Sequence, residues 1–259
     1  MRTAITLWND VIPYNSVDAP VPNLLEFYPA GEGKRPCVLV LPGGGYSTCN
    51  AEGHEGRAIA EYVNAYGYHA AVLTYRLVPH RYPAALSDAQ RAMKLLRHRA
   101  EELGIIPDKI VSMGFSAGGN LSASLGVLPD EAKIGDELDD ISPVPNGCVM
   151  GYPAIDLHDP QIASGRSLFA ERLPEFVEEF SLQNRVTDKT PPCFLWHTSD
   201  DNGVGSQHSL LFALALKEHK IPYELHIYPH GRHGLGLAKD KPDVSGWANL
   251  ALDWIRRTI

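Results

Sequence analysis

The stretch Ile110-Val-Ser-Met-Gly-Phe-Ser-Ala-Gly-Gly-Asn-Leu121 decides the fold. Ile110 to Met113 is an apolar run that reads as a buried strand. Gly114-Phe115-Ser116-Ala117-Gly118 follows without a break, and Gly119 through Leu125 reads as the start of a helix. A bare G-x-S-x-G is common by chance. Between a strand and a helix it is the setting of a nucleophile elbow, a sharp turn that lifts a serine hydroxyl above the sheet. Such a turn strains the serine backbone and crowds its neighbours. The positions two residues either side must therefore be very small, and Gly114 and Gly118 meet that need. The helix that follows aims its positive end at the hydroxyl. The alternative reading is a glycine-rich turn with an incidental serine.

Outward from this point, short apolar runs alternate with amphipathic stretches. Pro36–Leu41, His69–Tyr75, Ile110–Phe115, Gly147–Pro153, Pro192–His197 and Tyr223–Tyr228 read as strands, most of them apolar at nearly every position. That pattern belongs to strands covered on both faces. Ala89, Met93, Leu96, Ala100 and Leu103 recur at helical spacing, as do Trp247, Leu250, Ala251, Trp254, Ile255 and Thr258. Leu211, Ala215 and Leu216 mark a third helix, expected to end by Pro222. Alternating strands and helices predict an α/β fold, a mostly parallel sheet with helices on both faces. Leu24–Tyr28 is expected to add an antiparallel edge strand. Residues 1–259 read as a single domain. Leu157–Thr190 breaks the rhythm, with a helical patch at Pro174–Phe180. It reads as a short insertion above the sheet, either part of a substrate wall or an ordinary surface connection.

Composition narrows the function. Acidic residues outnumber basic ones 31 to 23, a formal net charge of -8, which disfavours a nucleic-acid partner. The densest basic run, Arg91 to Arg99, alternates with apolar residues and reads as one helix face. No run of about 18 apolar residues exists, so no membrane span is expected. Met1–Asp10 lacks the charged start and apolar core of a signal peptide, which points to the cytoplasm. The four cysteines lack zinc-site spacing; Cys37, Cys148 and Cys193 lie in apolar runs and read as buried free thiols.

A serine hydroxyl needs a base to attack at neutral pH. Of eleven histidines, His233 in Gly231-Arg-His-Gly234 follows the last strand in a loop able to bend over Ser116, with His230 as its rival. His226 reads as a packed strand residue, and His54, His69, His80, His98, His158, His208 and His219 as residues of helical or loop surfaces. A metal site built from His226, His230 and His233 lacks any supporting carboxylate or cysteine spacing. The base in turn needs an acid at a strand end between residues 116 and 233. Asp200 and Asp201, after the Pro192–His197 strand, both fit; one is expected to cap a helix while the other serves the histidine. Oxyanion donors are expected from the loop Pro42-Gly-Gly-Gly-Tyr46 and from the N–H of Ala117. A phosphate loop is the competing reading of those glycines, but neither a following Lys-Ser/Thr pair nor a G-x-G-x-x-G is present.

Together these residues resemble the α/β-hydrolase superfamily, and more narrowly the acetyl xylan esterase and bifunctional feruloyl/acetyl-xylan esterase group. The likeness runs from about residue 20 to the end. It is carried by Leu41–Tyr46, Glu52-Gly53, Gly67-Tyr68, Thr74–Leu77, Pro83–Asp88, Gly114–Gly119, His197–Asp201 and Tyr228–Gly234. Tyr75-Arg-Leu77 and Pro83–Asp88 are also similar to hormone-sensitive-lipase-like esterases. The resemblance implies an α/β-hydrolase fold, Ser116 as nucleophile, His233 as general base and then acid, and Asp201 in preference to Asp200 as the orienting acid. Two positions depart from related patterns. Pro42 stands where lipase-type loops have histidine; lacking an N–H, it leaves the donors to glycines, here Gly44 and Gly45. Gly205 follows Val204 where proline is common, which leaves the acid loop less rigidly specified.

The activity implied is hydrolysis of short acyl esters, acetyl foremost, on a small carbohydrate substrate such as a xylo-oligosaccharide, with neither cofactor nor metal. Alternatives are an arylformamidase or another small-molecule esterase, a peptidase (for which 259 residues leave no room for the usual extra domain), and a non-catalytic ligand receptor on the same scaffold. Exposed edge strands of such a sheet are compatible with a homodimer.

Overall fold

Alternation at the level of single residues builds the centre of the molecule. Along β3 (Arg35–Leu41), Cys37, Leu39 and Leu41 face one apolar cluster while Val38 and Val40 face another. Side chains of a strand point alternately to opposite faces, so a strand apolar at every position must be covered on both. The computed structural model describes residues 2–9, 11–15 and 17–259, which leaves Met1 and Asp10 of the N-terminal segment outside the described residues.

The sheet has eight strands in the order β1-β2-β4-β3-β5-β6-β7-β8. They are β1 (Thr3–Thr6), β2 (Leu24–Tyr28), β3, β4 (His69–Thr74), β5 (Ile105–Phe115), β6 (Gly147–Gly151), β7 (Cys193–Thr198) and β8 (Tyr223–Tyr228). From β4 to β8 every neighbouring pair is parallel, whereas β2 is antiparallel to both β1 and β4. Leu24–Tyr28 is thus antiparallel as expected but not at the edge. Thr3–Thr6, too short and polar to be read as a strand, pairs outside it.

The helices are α1 (Arg57–Ala65), α2 (Ala84–His98), α3 (Ala100–Leu103), α4 (Ala117–Val127), α5 (Ala163–Phe169), α6 (Leu173–Phe180), α7 (Gln207–Glu218), α8 (Pro242–Ser245) and α9 (Trp247–Thr258). Residues of α2, α4 and α7 pack in the cluster on one face of the sheet, and those of α1 and α9 in the cluster on the other. This is the α/β-hydrolase arrangement. The spacing from Ala89 to Leu103 is divided at Arg99 into α2 and α3. α7 stops at Glu218, four residues before Pro222, where Lys220 takes a left-handed conformation at φ 59°. Among the described residues no helix is long and apolar enough to cross a membrane.

The 157–190 segment contains α5 and α6, the latter matching the helical patch expected there. Phe169, Phe176 and Phe180 cluster with one another, and Tyr82 packs its ring on Phe169 and Phe180. The basic run on α2 pairs with the 136–146 connection: Arg91 with Asp136 and Glu137, Lys94 with Asp139, and Arg97 with the carbonyl of Val144. It is a helix face, as read, but one neutralised by partners.

Two segments that carried the family resemblance meet in the core. Arg76 is fully buried, and its guanidinium binds both oxygens of Asp88 at 2.8–3.1 Å. Asp88 also accepts the Arg76 backbone N–H and the Trp8 indole N–H. Removing one member of such a pair leaves a buried charge uncompensated. Asp88→Ala is expected to lower the unfolding free energy by about 3–5 kcal/mol, read from urea unfolding curves. A loss under about 1 kcal/mol would contradict this structural role.

Candidate active site

β5 ends in the turn that the sequence marks. Ser116 has φ 54° and ψ −117°, and α4 begins at the next residue. A Cβ on Gly114 would lie 1.9 Å from the Gly118 carbonyl oxygen, and one on Gly118 would lie 2.0 Å from that of Leu41. Glycine is required at both places because backbone already fills the space. The Ser116 N–H donates to Gly151 O at 3.0 Å and its carbonyl accepts Asn120 N–H at 2.9 Å, which fixes the turn between β6 and α4.

Three side chains from separate loops converge here. Ser116 Oγ lies 2.7 Å from His233 Nε2, and His233 Nδ1 lies 2.8 Å from Asp201 Oδ2. An ionised carboxylate only accepts, so Nδ1 carries the proton, and Nε2 is free to accept the Ser116 hydroxyl. Burial alone would raise the Asp201 pKa. Hydrogen bonds from His197, His233 and the Val204 N–H outweigh that and hold the carboxyl well below the usual carboxylate range. His233 is about a quarter exposed, whereas the Asp201 side chain is fully buried.

The neighbouring acid does something else. Asp200 accepts Gly231 N–H at 2.7 Å and pairs with His230 Nδ1 at 3.0 Å, so it ties the acid loop to the histidine loop. Neither aspartate caps α7, which starts after Ser206 with no side-chain cap. The expectation that one aspartate would cap a helix is corrected, because the loop after β7 uses both in tertiary contacts. His226 pairs with Glu224 on β8, so His226, His230 and His233 point to three different carboxylates rather than to one centre.

The acid loop is also better fixed than Gly205 suggested. His197 is fully buried. Its Nε2 is 2.8 Å from Val204 O and 3.5 Å from Asp201 Oδ2, and its Nδ1 accepts the Ser209 hydroxyl at 2.8 Å. A carbonyl can only accept, so the proton sits on Nε2 and is shared between the Val204 carbonyl and the carboxylate. Asp201 Oδ1 accepts the N–H groups of Gly203 and Val204. Gly203 packs against His233; a Cβ there would come within 2.8 Å of His233 Cβ and Cγ.

The glycine loop after β3 faces Ser116. Tyr75 OH donates to Pro42 O at 2.6 Å, and Tyr46 OH donates to Asn120 Oδ1 at 2.7 Å. Gly43 N–H is taken by Glu55 Oε2 at 2.9 Å. Gly44 O accepts the N–H groups of Ser47 and Thr48, which turns the N–H of the same trans peptide, that of Gly45, the opposite way. Among the described residues the N–H groups of Gly44, Gly45 and Ala117 have no hydrogen-bond partner. They are therefore free to donate. Gly44 adopts φ +132°, and a Cβ there would overlap Thr48 O.

Gly44, Gly45, Ser116 and His233 line a cavity of about 540 Å³, shared with Thr48, Asn50, His54, Gln161, Ser164 and Arg232. The start of the 157–190 segment supplies Gln161 to Ser164 to its wall. Sequence reasoning missed several supporting residues. Glu55 and Tyr152 meet through a 2.6 Å hydrogen bond, and Tyr152 sets its ring edge-on to His233 at 5.0 Å. Burial, then the adjacent carboxylate, push the Tyr152 phenol well above its ordinary pKa. His69, His80 and His208, expected at surfaces, are buried. His208 Nδ1 accepts the N–H groups of Ile155 and Asp156, and His69 Nδ1 that of Ala30. His69 and His208 thus act as acceptors for loop backbone, whereas His80 Nε2 donates to Pro20 O at 3.2 Å, and none of these roles has a periodic signature.

The chain is 41% identical over 238 residues to endo-1,4-beta-xylanase B of Butyrivibrio fibrisolvens, covering 88% of this chain and 36% of that one. It is 29% identical over 209 residues to an acetylxylan esterase of Xylanibacter ruminicola, covering 77% of this chain and 41% of that one. The chain thus spans well under half the length of these curated relatives. Among solved structures, the acetyl ester-xyloside bifunctional hydrolase of Caldicellulosiruptor lactoaceticus superposes with a TM-score of 0.89 at 40% identity, over 98% of this chain and 96% of that one. The BD-FAE family model matches residues 25–216, which include Ser116 and Asp201 but stop short of His233. On a match of that extent, the chain belongs to the BD-FAE family.

Proposed function

We propose that this protein is a serine carboxylic-ester hydrolase that removes short acyl groups, acetyl foremost, from carbohydrate such as xylo-oligosaccharides. The observation that carries the reading is the unbroken line of hydrogen bonds from Ser116 Oγ through His233 to a buried, ionised Asp201, opening on unpartnered N–H groups. The names of the relatives support the substrate class. So does the cavity wall, whose hydroxyl, amide and guanidinium groups at Thr48, Asn50, Gln161 and Arg232 suit sugar hydroxyls.

In the proposed reaction Ser116 Oγ attacks the acyl carbon as its proton passes to His233 Nε2. The carbonyl π electrons move to oxygen, and that oxyanion is met by the N–H of Ala117 and those of Gly44 and Gly45. The tetrahedral species collapses by breaking the ester C–O bond, and the leaving alcohol takes the proton from His233. Water, deprotonated by His233, then attacks the acyl-serine; the acyl C–Oγ bond breaks as His233 returns the proton to Ser116 Oγ, which releases the carboxylic acid and restores the starting site. Asp201 keeps the imidazole in the tautomer this needs and stabilises the imidazolium. The four cysteines, all free thiols, fit a reducing compartment and support the cytoplasm as the place of action.

Three outcomes are expected. Asp201→Asn lowers kcat by on the order of 10³–10⁴, since an amide can hold the imidazole in the wrong tautomer. Asp200→Asn, which only loosens the tie between loops, lowers it less than about tenfold; equal losses in the two variants would sink the assignment of Asp201. In a panel of acyl lengths and leaving groups, kcat/KM is highest for acetyl, and acetate is released from acetylated xylo-oligosaccharides faster than from phenyl acetate. The reverse preference would remove the carbohydrate from the proposal. Stability provides the third. The folded pKa of Asp201 is depressed, so its contribution is present above the unfolded value of about 3.9 and fades as the pH falls towards the folded one. The urea midpoint of the native protein therefore drops more between about pH 6 and about pH 3 than that of Asp201→Asn. Parallel drops would contradict the ionised, bonded carboxylate.

A further inference from the structure

Glu55 is buried, 9% exposed, in the turn before α1, and it belongs to none of the three side chains that line up on Ser116. Both of its oxygens are used. Oε2 accepts Gly43 N–H at 2.9 Å, and Oε1 accepts the Tyr152 hydroxyl at 2.6 Å. Tyr152 is itself 1% exposed and held at φ 37°, with its N–H on Trp196 O. Its hydroxyl oxygen accepts Gly236 N–H at 2.8 Å, three residues beyond His233, and its ring meets the His233 ring edge-on. One carboxylate therefore touches the glycine loop directly and, through one tyrosine, the loop and ring of the histidine.

The contact is tight on the glycine side. A Cβ on Gly43 would fall 2.7 Å from Glu55 Oε2, 2.8 Å from Phe115 O and 3.1 Å from Ser116 Cβ. Gly43 is thus wedged between Glu55 and the elbow. Because its N–H is consumed by Glu55, the peptides that follow are the ones left to present Gly44 and Gly45 N–H to the cavity. A shift of this wedge would move the donors and, through Tyr152, the histidine as well.

We propose that Glu55 is a positioning residue that sets the spacing between the oxyanion donors and His233 by holding Gly43 and Tyr152 at once. This rests on the esterase reading of the site. A glutamine at 55 has one acceptor oxygen and one donor amide, so it can satisfy Gly43 or Tyr152 but turns a donor toward the other. Tyr152→Phe keeps the ring and the Gly43 bond and cuts only the arm to the histidine loop.

The test is steady-state kinetics on an acetyl ester with the purified full chain, run on native, Glu55→Gln, Tyr152→Phe, the double variant and Ser116→Ala, with circular dichroism and thermal midpoints for each. Displacing reacting groups by an ångström costs about 10²-fold, so Glu55→Gln is expected to lower kcat by about that factor. KM should stay within about threefold, since donors to an oxyanion act in the transition state rather than on bound substrate. Tyr152→Phe should fall between native and Glu55→Gln, and the double variant should fall no further than Glu55→Gln, because both act along one path. Folded Glu55→Gln and Tyr152→Phe with kcat near native, or a loss confined to the thermal midpoint, would overturn the proposal. If Glu55→Gln does not fold, Tyr152→Phe alone decides: unchanged kcat refutes the link to the histidine. Activity surviving in Ser116→Ala would instead refute the underlying esterase reading.

Discussion

The structure turns on a single unfavourable residue. Ser116 occupies backbone angles that a non-glycine side chain avoids, a strain of order 1–3 kcal/mol that persists only if the surroundings over-determine it. They do so by steric closure. Gly114 abuts Gly118, and Gly118 abuts the end of β3, at separations no Cβ could enter. The same closure brings the glycine loop after β3 against the elbow, so hydroxyl and donors are placed by one packing event. Parallel pairing of β3 with β5 from Cys37–Ile110 to Leu41–Gly114 sets the level at which the two loops emerge.

Around that point, polar groups, most of them buried, are linked in chains rather than in isolated pairs. His197 holds Asp201, Asp201 holds His233, Asp200 ties the two loops together, and Glu55 and Tyr152 link the glycine loop to the histidine loop. A partly satisfied buried network is costly, whereas a complete one rigidifies its members. In the proposed reaction, pre-set donors and a pre-set tautomer would leave little reorganisation to do when charge develops on a substrate oxygen.

The sheet was legible because its strands are apolar on both faces and its helices apolar on one, patterns that survive without tertiary context. Ser116 was legible because the elbow is local: five consecutive residues contain the strain and its relief. His233 and the aspartate pair could be narrowed by chain order, but choosing Asp201 needed the family likeness, since both acids stand on one loop and only three-dimensional reach separates them. Glu55, Tyr152 and His197 left no signal in periodicity or spacing. Each is buried by contacts from distant segments, and a lone polar residue before a helix or at a strand end looks like any other. The buried His69 and His208 were misread for the same reason, and Thr3–Thr6 was missed because an edge strand needs no apolar face.

The most direct measurement is the mass of the enzyme caught during turnover. A chromogenic acetate mixed with the native protein and quenched in acid within the first turnovers should leave one acetyl group, on the peptide that contains Ser116. An acetyl group on another residue, or steady product formation with Ser116 unmodified under conditions where deacylation is slowed, would contradict a covalent route through this serine.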